Sequence, residues 1–190
     1  MKTVSEQKVL LRKKLISQRK SFSLKEWHEK SELIKKHVLA SKEFKNASII
    51  HCFISINERF EVETHSLIEE ALLEGKRIVV PVMNGNGTLI HSELTDLSEL
   101  EVNKWGVPEP KQIKIFEINF LDLILVPLLG ADSNGNRLGY GKGFYDRFLD
   151  EVKAVSFGML FDEFIIEEIP IEPFDRKLNG LISEKGLTYT

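Results

Sequence analysis

Between residues 137 and 146 the chain reads RLGYGKGFYD, a run in which groups able to hold an anion alternate with bare backbone. Gly139, Gly141 and Gly143 are separated only by Tyr140 and Lys142. The main chain can therefore adopt positive φ and come close to a ligand without side chains in the way. Exposed N–H groups in such a loop, followed by a helix N-terminus, form a cradle for phosphate. Arg137 and Lys142 add cationic donors, and a guanidinium can grip a phosphate through two parallel bonds. Asp146 follows closely enough to hold a magnesium ion bridging those phosphates, which takes one or two carboxylates and keeps several waters. The established phosphate loops do not fit, because Lys142 is followed by Gly143 rather than Ser or Thr, and Gly-x-Gly-x-x-Gly does not occur. A tight strand-to-helix turn with a cationic face is the alternative reading.

A second basic pair, Lys8 and Arg12, stands four residues apart in the N-terminal segment, so both project from one face if that segment is helical. With Lys13, Lys14 and Lys20 nearby, a solvated basic helix accounts for them equally well. The five histidines, at 28, 37, 51, 65 and 91, lack paired metal-ligand spacing, and no Gly-x-Ser-x-Gly elbow occurs. Neither set is assigned chemistry. Cys52, the single cysteine, excludes an internal disulfide and reads as a small buried hydrophobe.

These residues need a scaffold, and 190 residues with 42% hydrophobic and 29% charged side chains suit one globular domain, read here as 1–190. The net charge of −3 gives no general attraction for nucleic acid or anionic membranes, so neither is expected as a partner. No apolar run reaches bilayer length and the N-terminus has no secretory core, so the cytoplasm is the expected location. Thr3 with Glu6 signals a capped helix over residues 3–20, carrying Leu11, Leu15 and Ile16 on one stripe. A second helix runs from Ser23 to about Lys42. The runs at 48–55, 77–82, 121–127 and 154–161 are apolar without strict alternation, as strands buried on both faces are. Helices are expected at 64–74 and 144–152, and a long surface loop at 103–114. Strands alternating with helices predict an α/β three-layer sandwich around a largely parallel sheet, with a basic N-terminal helix. In such folds ligands sit beyond the carboxyl ends of the strands, where the glycine loop lies.

The run RLGYGKGFYDRFL, preceded by DLILVPLLGADSNGN, resembles the signature of the 5-formyltetrahydrofolate cyclo-ligases, also called 5,10-methenyltetrahydrofolate synthetases. KVLLR, FISINERFEVET, GKRIVVPV, WGVPEP and PFDRKLNGLIS extend the resemblance over nearly the whole chain. It implies an ATP- and Mg2+-dependent ligase that closes 5-formyltetrahydrofolate, with or without a polyglutamate tail, to 5,10-methenyltetrahydrofolate, releasing ADP and phosphate. By the same resemblance Lys8 and Arg12 reach the ATP phosphates, and Arg137, Leu138, Gly139, Tyr140, Gly141, Lys142, Gly143, Phe144 and Tyr145 line the nucleotide. Arg137 and Lys142 are then the catalytic cations, with Arg137 stabilising charge on the transferring phosphoryl. Folate is expected against the same loop, at Tyr140, Gly141, Lys142, Gly143 and Phe144, with Ile54 as apolar wall and Trp105 covering the pterin or its arm. Glu61 matches a folate-contacting glutamate, although a longer segment after Ser55 leaves Glu58 and Glu63 as alternatives. The metal falls to Asp146 and to Asn179, where the family tends to carry aspartate. A monomer is expected.

Two other classes compete. A sugar-phosphate isomerase or acyl-CoA-transferring protein would share the architecture but needs an acid/base set near the loop, and none is evident. A non-catalytic folate- or nucleotide-binding regulator would keep the cradle without turnover, against which the intact Arg137, Lys142 and Asp146 speak.

Overall fold

The structure, a computed structural model, describes residues 2–104 and 106–190. Helix α1 (Val4–Arg19) starts at a capping box: the Thr3 hydroxyl accepts from the Glu6 N–H while the Glu6 carboxylate accepts from the Thr3 N–H. Helix α2 (Leu24–Ala40) is capped by Ser23 and ends where Ser41 leaves helical geometry. The Ser41 hydroxyl then caps a short α3 (Lys42–Asn46), an element absent from the sequence expectation because its five residues are too few to show a period.

Strand β1 (Ile49–Cys52), α4 (His65–Leu73), β2 (Arg77–Met83) and β3 (Leu89–Leu94) come next, followed by a small hairpin of β4 (Leu100–Val102) and β5 (Pro108–Pro110). Then come β6 (Leu123–Pro127), the two-residue strands β7 (Gly130–Ala131) and β8 (Arg137–Leu138), α5 (Phe144–Glu151), β9 (Val155–Met159), β10 (Gly180–Ser183) and β11 (Gly186–Tyr189). Seven strands form one sheet in the order β11-β10-β9-β6-β1-β2-β3. The five inner strands run parallel and the edge strands β3 and β11 pair antiparallel. Ile50, His51 and Cys52 in β1 are all buried, as are Leu123 to Val126 in β6. Successive residues of a strand face opposite sides, so both faces of the sheet are covered. Sheet and helices thus build the α/β sandwich that the unalternating apolar runs predicted. The loop expected at 103–114 is partly ordered, since β5 pairs with β4 and Ile115 bridges to Ser92 in β3.

The architecture brings distant segments to one place. The glycine loop follows β8 and opens α5 at the carboxyl end of the central strands. Helix α1 docks beside it because Gly130 has no side chain: a Cβ there would lie 2.8 Å from Leu15 Cδ1. Lys8, Leu15 and Arg19 are the buried residues of this helix. That orientation turns its basic stripe towards the loop.

Candidate active site

A cavity of about 700 Å³ opens at the strand ends, within the range of small-molecule sites. Its walls include Lys8, Arg12, Ile54, Glu61, every residue from Arg137 to Tyr145, and Asp146. Two sequence-predicted residues stand apart. Trp105 lies outside the described residues. Asn179 is absent from the cavity lining, and its Oδ1 accepts from the Ser156 N–H at 2.9 Å and Oγ at 3.1 Å. The expectation that Asn179 ligates a metal beside Asp146 is therefore corrected: the only hard donor of this side chain is engaged in fixing β9.

Two of the three loop glycines take the positive φ that the pattern allowed, and Gly139 does not. Gly141 has φ +92° and Gly143 φ +67°, conformations that residues with a Cβ rarely adopt. Arg12 Nε donates to the Gly139 carbonyl at 2.9 Å, and the Arg12 guanidinium sits 3.0 Å from where a Gly141 Cβ would be. Arg137 is buried with 8% exposure; its Nη2 contacts Asp146 Oδ1 at 2.7 Å and its Nη1 donates to the Arg176 carbonyl. Burial lowers the Arg137 pKa, against which Asp146 and Asp175 pull upwards. Lys8, buried on α1, pairs with Glu172 at 2.8 Å and Asp175 at 2.5 Å. Lys142 is exposed at the rim. The Tyr145 hydroxyl is buried without a hydrogen-bond partner among the described residues, and burial raises its pKa well above the ordinary value.

Glu61, also on the cavity wall, is buried at 6% exposure. Its Oε2 accepts from the Ile56 N–H at 2.9 Å and its Oε1 from the Tyr140 hydroxyl at 2.5 Å, while its backbone carbonyl accepts from Trp27 Nε1 at 2.6 Å. The two alternatives to Glu61 have other situations. Glu58 is exposed and faces a neighbouring recess of about 470 Å³. Glu63 caps α4, accepting from the His65 and Ser66 N–H groups. Burial opposes ionisation of Glu63, but the bonds from His65 and Ser66 outweigh it and hold the carboxyl at about 2.

Several wall residues escaped the sequence reading. Phe53, Ile56, Pro81, Met83, Val107 and Pro108 supply an apolar side. Phe53 and Ile56 come from the segment after β1, Pro81 and Met83 from β2, and Val107 and Pro108 from the β4–β5 hairpin, so the wall forms only when these separate segments meet at the sheet end. Arg19 is not part of the cavity lining but reaches Tyr140, and it had a signal: it lies seven residues after Arg12, two helical turns on, and continues the same stripe.

The fold and the cavity define an α/β protein whose glycine loop, lined by basic side chains, shares one cavity with apolar walls. Residues 4–184 match the model of the 5-formyltetrahydrofolate cyclo-ligase family, and the chain belongs to that family of ligases. Among its relatives, the mouse 5-formyltetrahydrofolate cyclo-ligase is 30% identical over 96% of both chains. The Escherichia coli K12 protein of the same name is 33% identical over 65% of this chain and 71% of its own. The 5,10-methenyltetrahydrofolate synthetase of Aquifex aeolicus superposes with a TM-score of 0.85 at 28% identity, covering 96% of this chain and 92% of that one. A Mycoplasma pneumoniae synthetase of the same name shares the fold, with a TM-score of 0.75 at 23% identity over 93% of this chain and 98% of that one.

Proposed function

We propose that this chain, acting as one domain in the cytoplasm, uses ATP to cyclise 5-formyltetrahydrofolate to 5,10-methenyltetrahydrofolate, releasing ADP and phosphate. One observation carries the reading: a single cavity joins a glycine cradle ringed by Lys8, Arg12, Arg137 and Lys142 to a buried carboxylate, Glu61, set among apolar walls. The cations suit the phosphates, and the Glu61 carboxylate suits the N–H-rich edge of a pterin.

The chemistry requires both ends to meet. A formamide carbonyl is a poor electrophile and its oxygen a poor leaving group. In the reaction the formyl oxygen attacks the γ-phosphorus of ATP, the bond to the β–γ bridging oxygen breaks, and ADP departs with that electron pair. N10 then adds to the activated carbon and loses its proton, and the C–O bond breaks to release phosphate and leave the conjugated methenyl cation. Arg137, desolvated and fixed by Asp146, would stabilise charge growing on the transferring phosphoryl. The N–H groups around Gly139 and Gly141, with Lys142 and Arg12, would orient the phosphates, and Ile54 would exclude water from the folate side. For magnesium the hard carboxylates of Asp146 and Asp175 on the cavity wall are fitting ligands. When bound, the ion would neutralise phosphate charge. Asn179 is not part of this proposal.

The test is formation of the methenyl chromophore from 5-formyltetrahydrofolate by the purified protein, with and without ATP and magnesium. Turnover only when both are present is expected, and absence of turnover under all conditions refutes the reading.

A further inference from the structure

The stripe on α1 continues past the phosphate-facing pair to Arg19, a guanidinium with 4% exposure that the proposed chemistry does not use. Its Nη2 donates to the Leu128 carbonyl at 2.6 Å and its Nη1 to the Tyr140 hydroxyl at 3.4 Å; Nε has no partner among the described residues. The guanidinium also stacks over Phe164, with 5.4 Å from Cζ to the ring centroid. A buried cation held so far from water is costly unless its surroundings use the charge.

The hydroxyl it touches is the one that donates to Glu61 Oε1 at 2.5 Å. A phenol carries one proton and can accept as well as donate, so on its own the hydroxyl can turn either way. Arginine has donors only. With Arg19 donating to the Tyr140 oxygen, the hydroxyl's single proton is held on the Glu61 side, where the carboxylate accepts it. The other Glu61 oxygen is already held by the Ile56 N–H. We propose that Arg19 is a positioning residue for the folate half of the site: through Tyr140 it fixes which lone pairs of Glu61 remain to receive the N–H donors of the substrate. The role rests on the proposed folate reaction and adds to it a residue 42 positions from the carboxylate it orients.

The arrangement also ties the glycine loop to the folate side, because Tyr140 is a loop residue whose neighbours Gly139 and Gly141 meet Arg12. One face of α1 therefore reaches the loop twice: Arg12 holds its backbone and Arg19 holds the hydroxyl of its central side chain.

The experiment measures steady-state KM for 5-formyltetrahydrofolate and for ATP in the full-length protein, in the variants R19M, Y140F, R19K and R19M/Y140F. R19M and Y140F are each expected to raise the folate KM about tenfold, the low end for a hydrogen bond to a charged group, with the ATP KM of R19M moving less than about twofold. In the double variant the R19M effect should vanish, since Arg19 acts through the hydroxyl that Y140F has already removed. R19K, which keeps the charge but not the fork, should recover part of the loss. If R19M raises the folate KM equally with and without the Tyr140 hydroxyl, it acts through Leu128 as scaffold and the proposal is overturned. An unchanged folate KM in both single variants overturns it too. Should R19M fail to fold, R19K decides: a rise of about threefold or more in folate KM alone supports the role, and no rise removes it. A parent protein that makes no chromophore refutes the folate reaction itself, and this assignment with it.

Discussion

Alanine at Gly141 and at Gly139 should have opposite effects, although the two glycines are two residues apart in the same cradle. Gly141 has φ +92°, so a Cβ there meets the steric penalty of the left-handed region, about 1–2 kcal/mol. The same Cβ would sit 3.0 Å from Arg12 Cζ and 3.2 Å from its Nε. Arg12 is a flexible side chain and can retreat, but only by loosening the 2.9 Å bond from Nε to the Gly139 carbonyl. A charge-assisted bond of this kind contributes about 1.5 kcal/mol when partly exposed. Together these give about 2.5–3.5 kcal/mol of destabilisation for G141A, below the ~5–15 kcal/mol that holds a domain folded. Gly139 has an ordinary negative-side φ, and nothing lies within 4 Å of the position its Cβ would take. G139A should therefore be neutral or stabilising by up to about 1 kcal/mol, through the unfolded chain. Urea unfolding of both variants measures the contrast, and calorimetry with ATP should show G141A binding at least tenfold more weakly than the parent. Equal stability changes of the same sign would refute the assignment of strain to Gly141. Undiminished ATP affinity in G141A would refute the cradle.

Three further outcomes follow from other parts of the site. R137A should lower kcat by about a hundredfold to a thousandfold, the usual cost of one donor to transition-state charge, with a smaller effect on folate binding; near-normal kcat removes Arg137 from the chemistry. In a magnesium titration of the rate, D146N should need far more metal. N179D should match the parent, because the oxygen at 179 is held by Ser156, and a shifted midpoint in N179D would place that side chain at the metal after all. Burial holds His91 at about 4, and burial together with His91 holds His51 well below the usual imidazole range. Both groups bind protons more readily unfolded than folded. Their contribution is thus complete above about pH 6.5 and is lost as pH falls towards 4, with His91 alone accounting for at most about 2 kcal/mol at pH 5 before solvent screening is allowed for. Urea midpoints at pH 7.5 and 5 should show this loss, and H91N should flatten it; an unaltered slope in H91N means that other groups carry the acid sensitivity.

What was legible in the sequence, and what was not, divides along the range of the interaction. The capping box at Thr3 and Glu6, the four buried apolar runs and the glycine loop are local, so the periods and turn residues that specify them lie within a few positions of one another. Three sheet strands were missed for a shared reason. β3 sits at the edge with a mixed burial pattern, and β10 and β11 are four residues each, so none carries a long apolar run. The apolar wall, drawn from the segment after β1, from β2 and from the β4–β5 hairpin, was invisible because its residues meet only after the sheet has formed. Asn179 shows the opposite error: a position singled out for a ligand turns out to bind the backbone of β9. An asparagine before a strand has a carbonyl that can serve either purpose, and sequence alone does not say which partner is nearer.

The histidine pair follows from the same distinction. No motif marks His51 and His91, yet His51 Nε2 lies 3.2 Å from His91 Nδ1, and Phe148 of α5 packs on both rings at 4.7 and 4.3 Å. Their strands are separated by β2, so the contact crosses an intervening strand, and no reading of either segment could pair them. The consequence concerns the glycine loop, since Gly143 is the N-cap of α5 and the loop runs directly into this helix, which is seated on these rings. Two imidazoles can share one hydrogen bond only while at least one is neutral. Burial keeps them so, and the pair under α5 is thereby a polar contact that behaves as part of the apolar core across the physiological range. That is why the pair belongs to the stability of the loop rather than to its chemistry: protons reach it only at a pH where the helix it supports is already losing its seat.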